Sequence, residues 1–190
     1  MNICVYAASG RELDNIYYEE AVRLGRLMAA EGHCLIFGGG SEGLMGACAK
    51  GVKEAGGRVI GIAPRFFDEP GVLYKDCDEF IYTDTMRERK QLMEQMADAF
   101  IMLPGGIGTF EEFFEILTLK QLGRHSKPIA ILNTAAYYSP MVAMLEHTAR
   151  QRFMNEKCLE LYKLFELPED AVAHCMCGDK ITGSIRRFNG

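Results

Sequence analysis

No apolar stretch in these 190 residues approaches the length of a membrane span. No lysine- or arginine-rich run interrupts the even mixing of charges. The first absence argues against a helical membrane anchor. The second, with a formal net charge of −5, argues against a nucleic-acid partner. No CxxC pair occurs, and the seven cysteines, at 4, 34, 48, 77, 158, 175 and 177, are odd in number and scattered. They are expected to be reduced thiols of a cytoplasmic protein. His174-Cys175-Met176-Cys177 could form a metal corner, but no second pair completes it, so no metal site is expected. No glycine-rich turn is followed by Lys-Ser or Lys-Thr, which excludes a Walker A loop. Internal repeats, low-complexity segments and domain linkers are also missing. The N-terminus, Met1-Asn2-Ile3-Cys4-Val5-Tyr6, opens in a strand-like pattern rather than a signal peptide.

What the chain does have is apolar residues, 48% of the total, enough for one medium domain with a sizeable core. Apolar runs at 2–7, 33–37, 58–62, 79–83, 99–103 and 128–132 read as strands. Helical periodicity falls between and after them, at 13–31, 43–56, 86–97, 110–122, 138–152 and 156–166. That rhythm predicts an α/β fold, a doubly wound parallel sheet with helices on both faces. One nucleotide-binding domain is expected over 1–177, with 178–190 as a flexible tail. The connection at 63–77, with Pro64 and Pro70, reads as a surface loop near the ligand.

Residues 104–112, Pro-Gly-Gly-Ile-Gly-Thr-Phe-Glu-Glu, carry most of the functional information. They join a buried strand to an amphipathic helix through Phe110, Phe113, Phe114 and Leu117. A glycine turn there exposes backbone N–H groups at the positive end of a helix, a natural seat for phosphate. Glu112 lies close enough to act on whatever the phosphate is attached to. Thr109-x-x-Glu112 also fits a capping box, in which the glutamate serves only backbone donors. Glu111 and Glu115 read as solvated helix residues, with Glu111 near enough to the turn to touch a ligand.

In open α/β sheets ligands bind beyond the carboxyl ends of the strands. The turns at 7–10, 38–43 and 104–109, and the start of the helix at 86, should therefore crowd one edge. Gly38-x-Gly40-x-x-Gly43 matches the dinucleotide fingerprint, but the following strand ends without the acidic residue that would hold a ribose diol. NAD(P) is therefore disfavoured against a second phosphate- or ribose-facing turn, or a merely tight strand–helix turn. Arg89 interrupts the apolar face Met86, Met93, Met96, Ala97, and a cation aimed at a sheet is costly without an anion. Its partner is either a structural carboxylate or the substrate and its catalytic carboxylate. Lys90 reads as a possible neutraliser of phosphate from the rim.

Gly38-Gly39-Gly40-Ser41-x-Gly43-Leu44-Met45-Gly46, Met86-x-x-Arg89-Lys90 and Pro104-Gly105-Gly106-x-Gly108-Thr109-x-x-Glu112 together resemble the lonely guy family over about residues 2–165. Its members are cytokinin riboside 5′-monophosphate phosphoribohydrolases. The resemblance implies a Rossmann-like fold and a homodimer without metal or other cofactor. It also implies cleavage of the N-glycosidic bond of an adenosine-type 5′-monophosphate, giving free base and ribose 5-phosphate. By motif match Arg89 and Glu112 are the catalytic pair. Gly105, Gly106, Gly108 and Thr109 form the phosphate turn, with Lys90 and Ser9 nearby. Gly39, Gly40, Ile107, Glu111 and Thr118 complete the candidate substrate-binding set. Ala8-Ser9-Gly10 departs from the usual Gly-Ser-Ser of the family, and nothing after Pro168 matches a known pattern. A lysine decarboxylase label, also used for this family, would need a pyridoxal site that nothing in the sequence suggests. Glu112 is expected to be ionised at neutral pH beside Arg89 and the helix end.

Three rival functions are a nucleotide-binding module without turnover, an NAD-dependent enzyme resting on residues 38–43, and a DNA-processing accessory protein. The presence of both Arg89 and Glu112 speaks against the first. The expected homodimer has a sequence argument of its own. Phe110, Phe113, Phe114, Leu117 and Leu119, with Met141, Met144, Leu145, Phe153, Leu159, Leu161 and Leu164, are more apolar surface than one side of a six-stranded sheet should cover.

Overall fold

The structure is a computed structural model that describes residues 1–178. The expected flexible tail lies outside the described residues, apart from Gly178. Among the described residues seven strands, β1 (Asn2–Tyr6), β2 (Cys34–Phe37), β3 (Arg58–Pro64), β4 (Glu79–Thr83), β5 (Ala99–Met102), β6 (Ile129–Leu132) and β7 (Lys163–Phe165), form one sheet in the order β4-β3-β2-β1-β5-β6-β7. Every pairing is parallel. Among the described residues six helices pack on it: α1 (Asn15–Ala30), α2 (Gly43–Glu54), α3 (Met86–Met96), α4 (Ile107–Gln121), α5 (Ser139–Arg150) and α6 (Pro168–Cys177).

The alternation along β1 shows why both faces need cover. Ile3 and Val5 enter a core with Leu24 and Met28 of α1, Val52 of α2 and Val172 of α6. Cys4 and Tyr6 enter the opposite core with Met93 of α3, Phe113 of α4 and Leu145 of α5. A strand buried on both faces reads as a continuous apolar run, and β1, β2 and β5 do. The fold is Rossmann-like, with the strand order reversing between β1 and β5. The crevice of such a sheet opens at that reversal, between the turn after β1 and the turn after β5.

One expectation fails at the C-terminal end. The segment 156–166, read as helix, is a 3-10 turn (Glu156–Glu160) followed by β7, which pairs with β6 through Ile131 and Leu164. The apolar spacing of Leu159, Leu161 and Leu164 imitates a helix because tertiary pairing, not periodicity, decides a three-residue strand. Helix α6 then begins with Pro168 in its first turn and Glu169 and Asp170 beside it, both favourable at a helix N-terminus.

The apolar surface invoked for a dimer is largely consumed within the chain. Phe113, Leu117, Met141, Leu145 and Leu161 are buried in its own core, and Phe110, Phe114, Leu159 and Leu164 pack against that core. Met144 and Phe153 stay exposed, at 51% and 81%. No described helix is long and apolar enough to cross a membrane.

Candidate active site

A cavity of about 850 Å³ lies at the β1/β5 reversal, lined by the turns after β1, β2 and β5 and by Phe67 and Pro70–Leu73 of the connection between β3 and β4. Pro104–Thr109 forms one wall. Gly106 is the N-cap of α4, which runs from Ile107. Thr109 therefore sits inside the first turn, so the capping box read there does not form. The side-chain cap forms on α3 instead, where Thr85 Oγ1 accepts from Glu88 N at 3.1 Å and Glu88 accepts from Asp84 N at 2.9 Å. Glu112 is thereby released from backbone duty.

The two glycine turns differ in a way that decides which can take an anion. At α2, Leu44 N and Met45 N both donate to Ala8 O, at 2.9 and 3.3 Å. Gly39 and Ser41 are fastened to the 71–74 segment by Tyr74 N to Gly39 O, Ser41 N to Val72 O and Ser41 Oγ to Gly71 O. That helix end is closed. At α4, among the described residues, no protein acceptor takes the N–H groups of Gly106 through Thr109. Unsatisfied donors at the N-terminus of a 15-residue helix, opening on a cavity, suit an anion.

Arg89 reaches the same cavity from α3. Its Nε donates to Ile62 O at 3.2 Å and its Nη2 lies 3.2 Å from Glu112 Oε1, with both side chains about nine-tenths buried. A Cβ at Gly38 would overlap Nη2, so only glycine leaves room for the guanidinium under the turn after β2. A Cβ at Gly105 would overlap the Thr109 hydroxyl in the same manner. Burial pushes the Glu112 carboxyl up to about 7, against the opposing pull of Arg89. The expectation of a readily ionised carboxylate is thus corrected. Desolvation outweighs the neighbouring cation, and Glu111 and Glu115 add negative charge on the same side.

Of the candidate residues, Arg89, Glu112, Ser9, Gly40, Gly105, Gly106, Ile107, Gly108 and Thr109 line the cavity. Four do not. Gly39 turns the chain at φ 75° over the Phe80 ring. Lys90 is taken by Glu111 and by Glu115, the latter at 2.8 Å, which removes both it and Glu111 from the ligand side. Thr118 lies farther along α4, exposed to solvent and away from the cavity. Met45 of the glycine motif and Phe67 of the 63–77 connection also line the cavity, as do Tyr17 and Tyr137, which no sequence pattern marks. Their positions depend on tertiary contacts that no local pattern announces.

Residues 45–175 match the protein family described as "Possible lysine decarboxylase". Among the described residues, the cavity lining holds no lysine for the Schiff base that pyridoxal chemistry uses. The chain is 39% identical over 154 residues to the cytokinin riboside 5′-monophosphate phosphoribohydrolase LOG of Oryza sativa subsp. japonica, covering 81% of this chain and 64% of that one. It is 41% identical over 140 residues to the Rhodococcoides fascians enzyme of the same name, covering 73% and 71%. Among solved structures, a molybdenum cofactor binding protein from Rippkaea orientalis superposes with a TM-score of 0.68 at 24% identity, over 90% of this chain and 93% of that one. At that identity the likeness concerns the fold alone. With the family model matching most of its length and identities of 39–41% to enzymes of that name, the chain belongs to the lonely guy family of cytokinin riboside 5′-monophosphate phosphoribohydrolases.

Proposed function

We propose that the protein hydrolyses the N-glycosidic bond of an adenosine-type nucleoside 5′-monophosphate, a cytokinin riboside 5′-monophosphate or AMP, to the free base and ribose 5-phosphate. The buried Arg89–Glu112 pair beside the open N–H groups of residues 106–109 carries this assignment. In the proposed mechanism the 5′-phosphate sits on those donors at the start of α4, and this remote binding places the ribose over Glu112. As the bond from C1′ to the base nitrogen breaks, positive charge grows on the ribose ring. The Glu112 carboxylate stabilises that charge or directs the attacking water, whose oxygen completes ribose 5-phosphate while the base leaves with a proton. Arg89 holds the carboxylate in place and presents its planar fork to the nucleotide. A homodimer belongs to the proposal, supported by the exposed Met144 and Phe153, and light scattering reads it directly.

Incubation of the protein with AMP and with isopentenyl-AMP, followed by chromatography, should show free base from at least one of them. Binding of both without release of base would favour a nucleotide-binding protein of the same fold.

Burial of Glu112 gives the activity a pH dependence of definite sign. With the carboxyl pushed up to about 7, its ionised form becomes scarce as pH falls below neutrality. The kcat/KM should therefore rise between about pH 6 and 8 with an apparent pKa near 7, and Glu112→Gln should lack that limb. Stability follows the opposite course. The folded chain holds this proton more tightly than the unfolded chain, whose glutamate titrates near 4.5. Its contribution to stability is therefore full below about 4.5 and is lost as pH rises through 7.

A further inference from the structure

Three consecutive backbone carbonyls at the end of β5 are each held by a separate donor. Leu103 O accepts from the Tyr138 hydroxyl at 2.7 Å, Pro104 O from Ala8 N at 3.0 Å, and Gly105 O from the Tyr137 hydroxyl at 2.8 Å. A trans peptide sets its N–H antiparallel to its C=O, and the described chain has no cis peptide bond. Fixing the Gly105 carbonyl therefore fixes the direction of Gly106 N–H, one of the donors without a protein acceptor. The Pro104 carbonyl does the same for Gly105 N–H. Ala8 holds its carbonyl through a backbone N–H of the turn after β1, whereas Tyr137 reaches Gly105 O with a side chain from the cavity wall, 40% exposed.

The fold places this tyrosine at some expense. Ala135 and Ala136, just before it, have φ of 52° and 59°, in the left-handed region that favours glycine. Such strain persists only where the surroundings impose it. Here they do: Asn133 N donates to Phe165 O, Asn133 Oδ1 accepts from Tyr138 N, and the Tyr137 ring meets the rings of Tyr138 and Tyr17 edge-on at 4.9 and 6.0 Å.

We infer that Tyr137 is a positioning residue for the anion-binding turn: its hydroxyl clamps the Gly105–Gly106 peptide so that the amide edge is presented to the 5′-phosphate. This rests on the proposed phosphate site and adds a side chain to it. A tyrosine that merely packs would affect every ligand alike, whereas a clamp affects the phosphate alone.

The test is calorimetric titration with ribose 5-phosphate, set beside kinetics with a nucleoside monophosphate and its dephosphorylated nucleoside. Tyr137→Phe keeps the ring contacts and removes one hydroxyl. It should weaken ribose 5-phosphate by about 3- to 10-fold, the range for one lost hydrogen bond. The KM for the monophosphate should rise by the same factor, with kcat changed less than about twofold and the nucleoside unaffected. Ala136→Gly adopts the left-handed φ without strain and leaves the Tyr137 hydroxyl in place, so it should keep ribose 5-phosphate affinity within about twofold of the wild type. Wild-type affinity in Tyr137→Phe overturns the clamp while leaving the phosphate site standing. An equal loss on monophosphate and nucleoside also overturns it, by reducing Tyr137 to packing. Failure of the wild-type protein to bind ribose 5-phosphate overturns the clamp and the phosphate site together.

Discussion

Replacing Glu112 with glutamine should lower kcat by on the order of 10²–10³ while leaving the fold and much of the nucleotide affinity intact. That is the usual loss when an electrostatic group acting in the transition state is removed. Glutamine keeps the volume and can still meet Arg89, but it cannot oppose a cation forming on the ribose. The fold should tolerate the change because Glu112 caps no helix, and because a buried carboxyl that keeps its proton up to about pH 7 is already near neutral in many molecules. Single-turnover base release, with nucleotide binding measured separately, distinguishes the outcomes. Full activity in a folded variant would leave Glu112 as a structural counter-ion for Arg89.

Removing the 5′-phosphate from the substrate should have a comparably large effect. Among the described residues, the N–H groups of Gly106 through Thr109 have no protein acceptor at the cavity, and hydrogen bonds to a charged group are worth about 1.5–3 kcal/mol each. Two such bonds correspond to on the order of 10²–10⁴ in affinity. Adenosine should therefore be turned over with a kcat/KM at least about 10²-fold below AMP, or below whichever monophosphate proves the better substrate. Equal values for the two would remove the anchor from the mechanism. The turn after β2 offers no substitute, since its helix end is closed by Ala8 O and its outer edge is held by the 71–74 segment.

How far the sequence discloses all this depends on the range of the interaction concerned. Strands buried on both faces and helices of a dozen residues or more leave periodic traces, so β1 to β6 and α1 to α5 are legible in outline. The three residues of β7 leave none. Its identity comes from pairing with β6, and the helical spacing of nearby leucines misleads. At the site, Arg89 shows itself by breaking an apolar stripe, and the glycine turn by its composition. The charge state of Glu112 does not, because it depends on how much water the folded cavity excludes. Lys90 looks free in the sequence because its partners, Glu111 and Glu115, lie on a helix that only the fold brings alongside. Tyr137 is hidden for a similar reason, since its hydroxyl meets a carbonyl 32 residues away.

Helix α3 leaves the edge strand β4 and delivers the chain to β5, beyond β1. Arg89 and Glu112 therefore come from opposite wings of the sheet, and their contact spans the seam. Were those 11 residues of α3 to lift, water would reach Glu112 and its acidity would return to that of an ordinary carboxyl. The proton on one side chain thus records whether the two wings are shut.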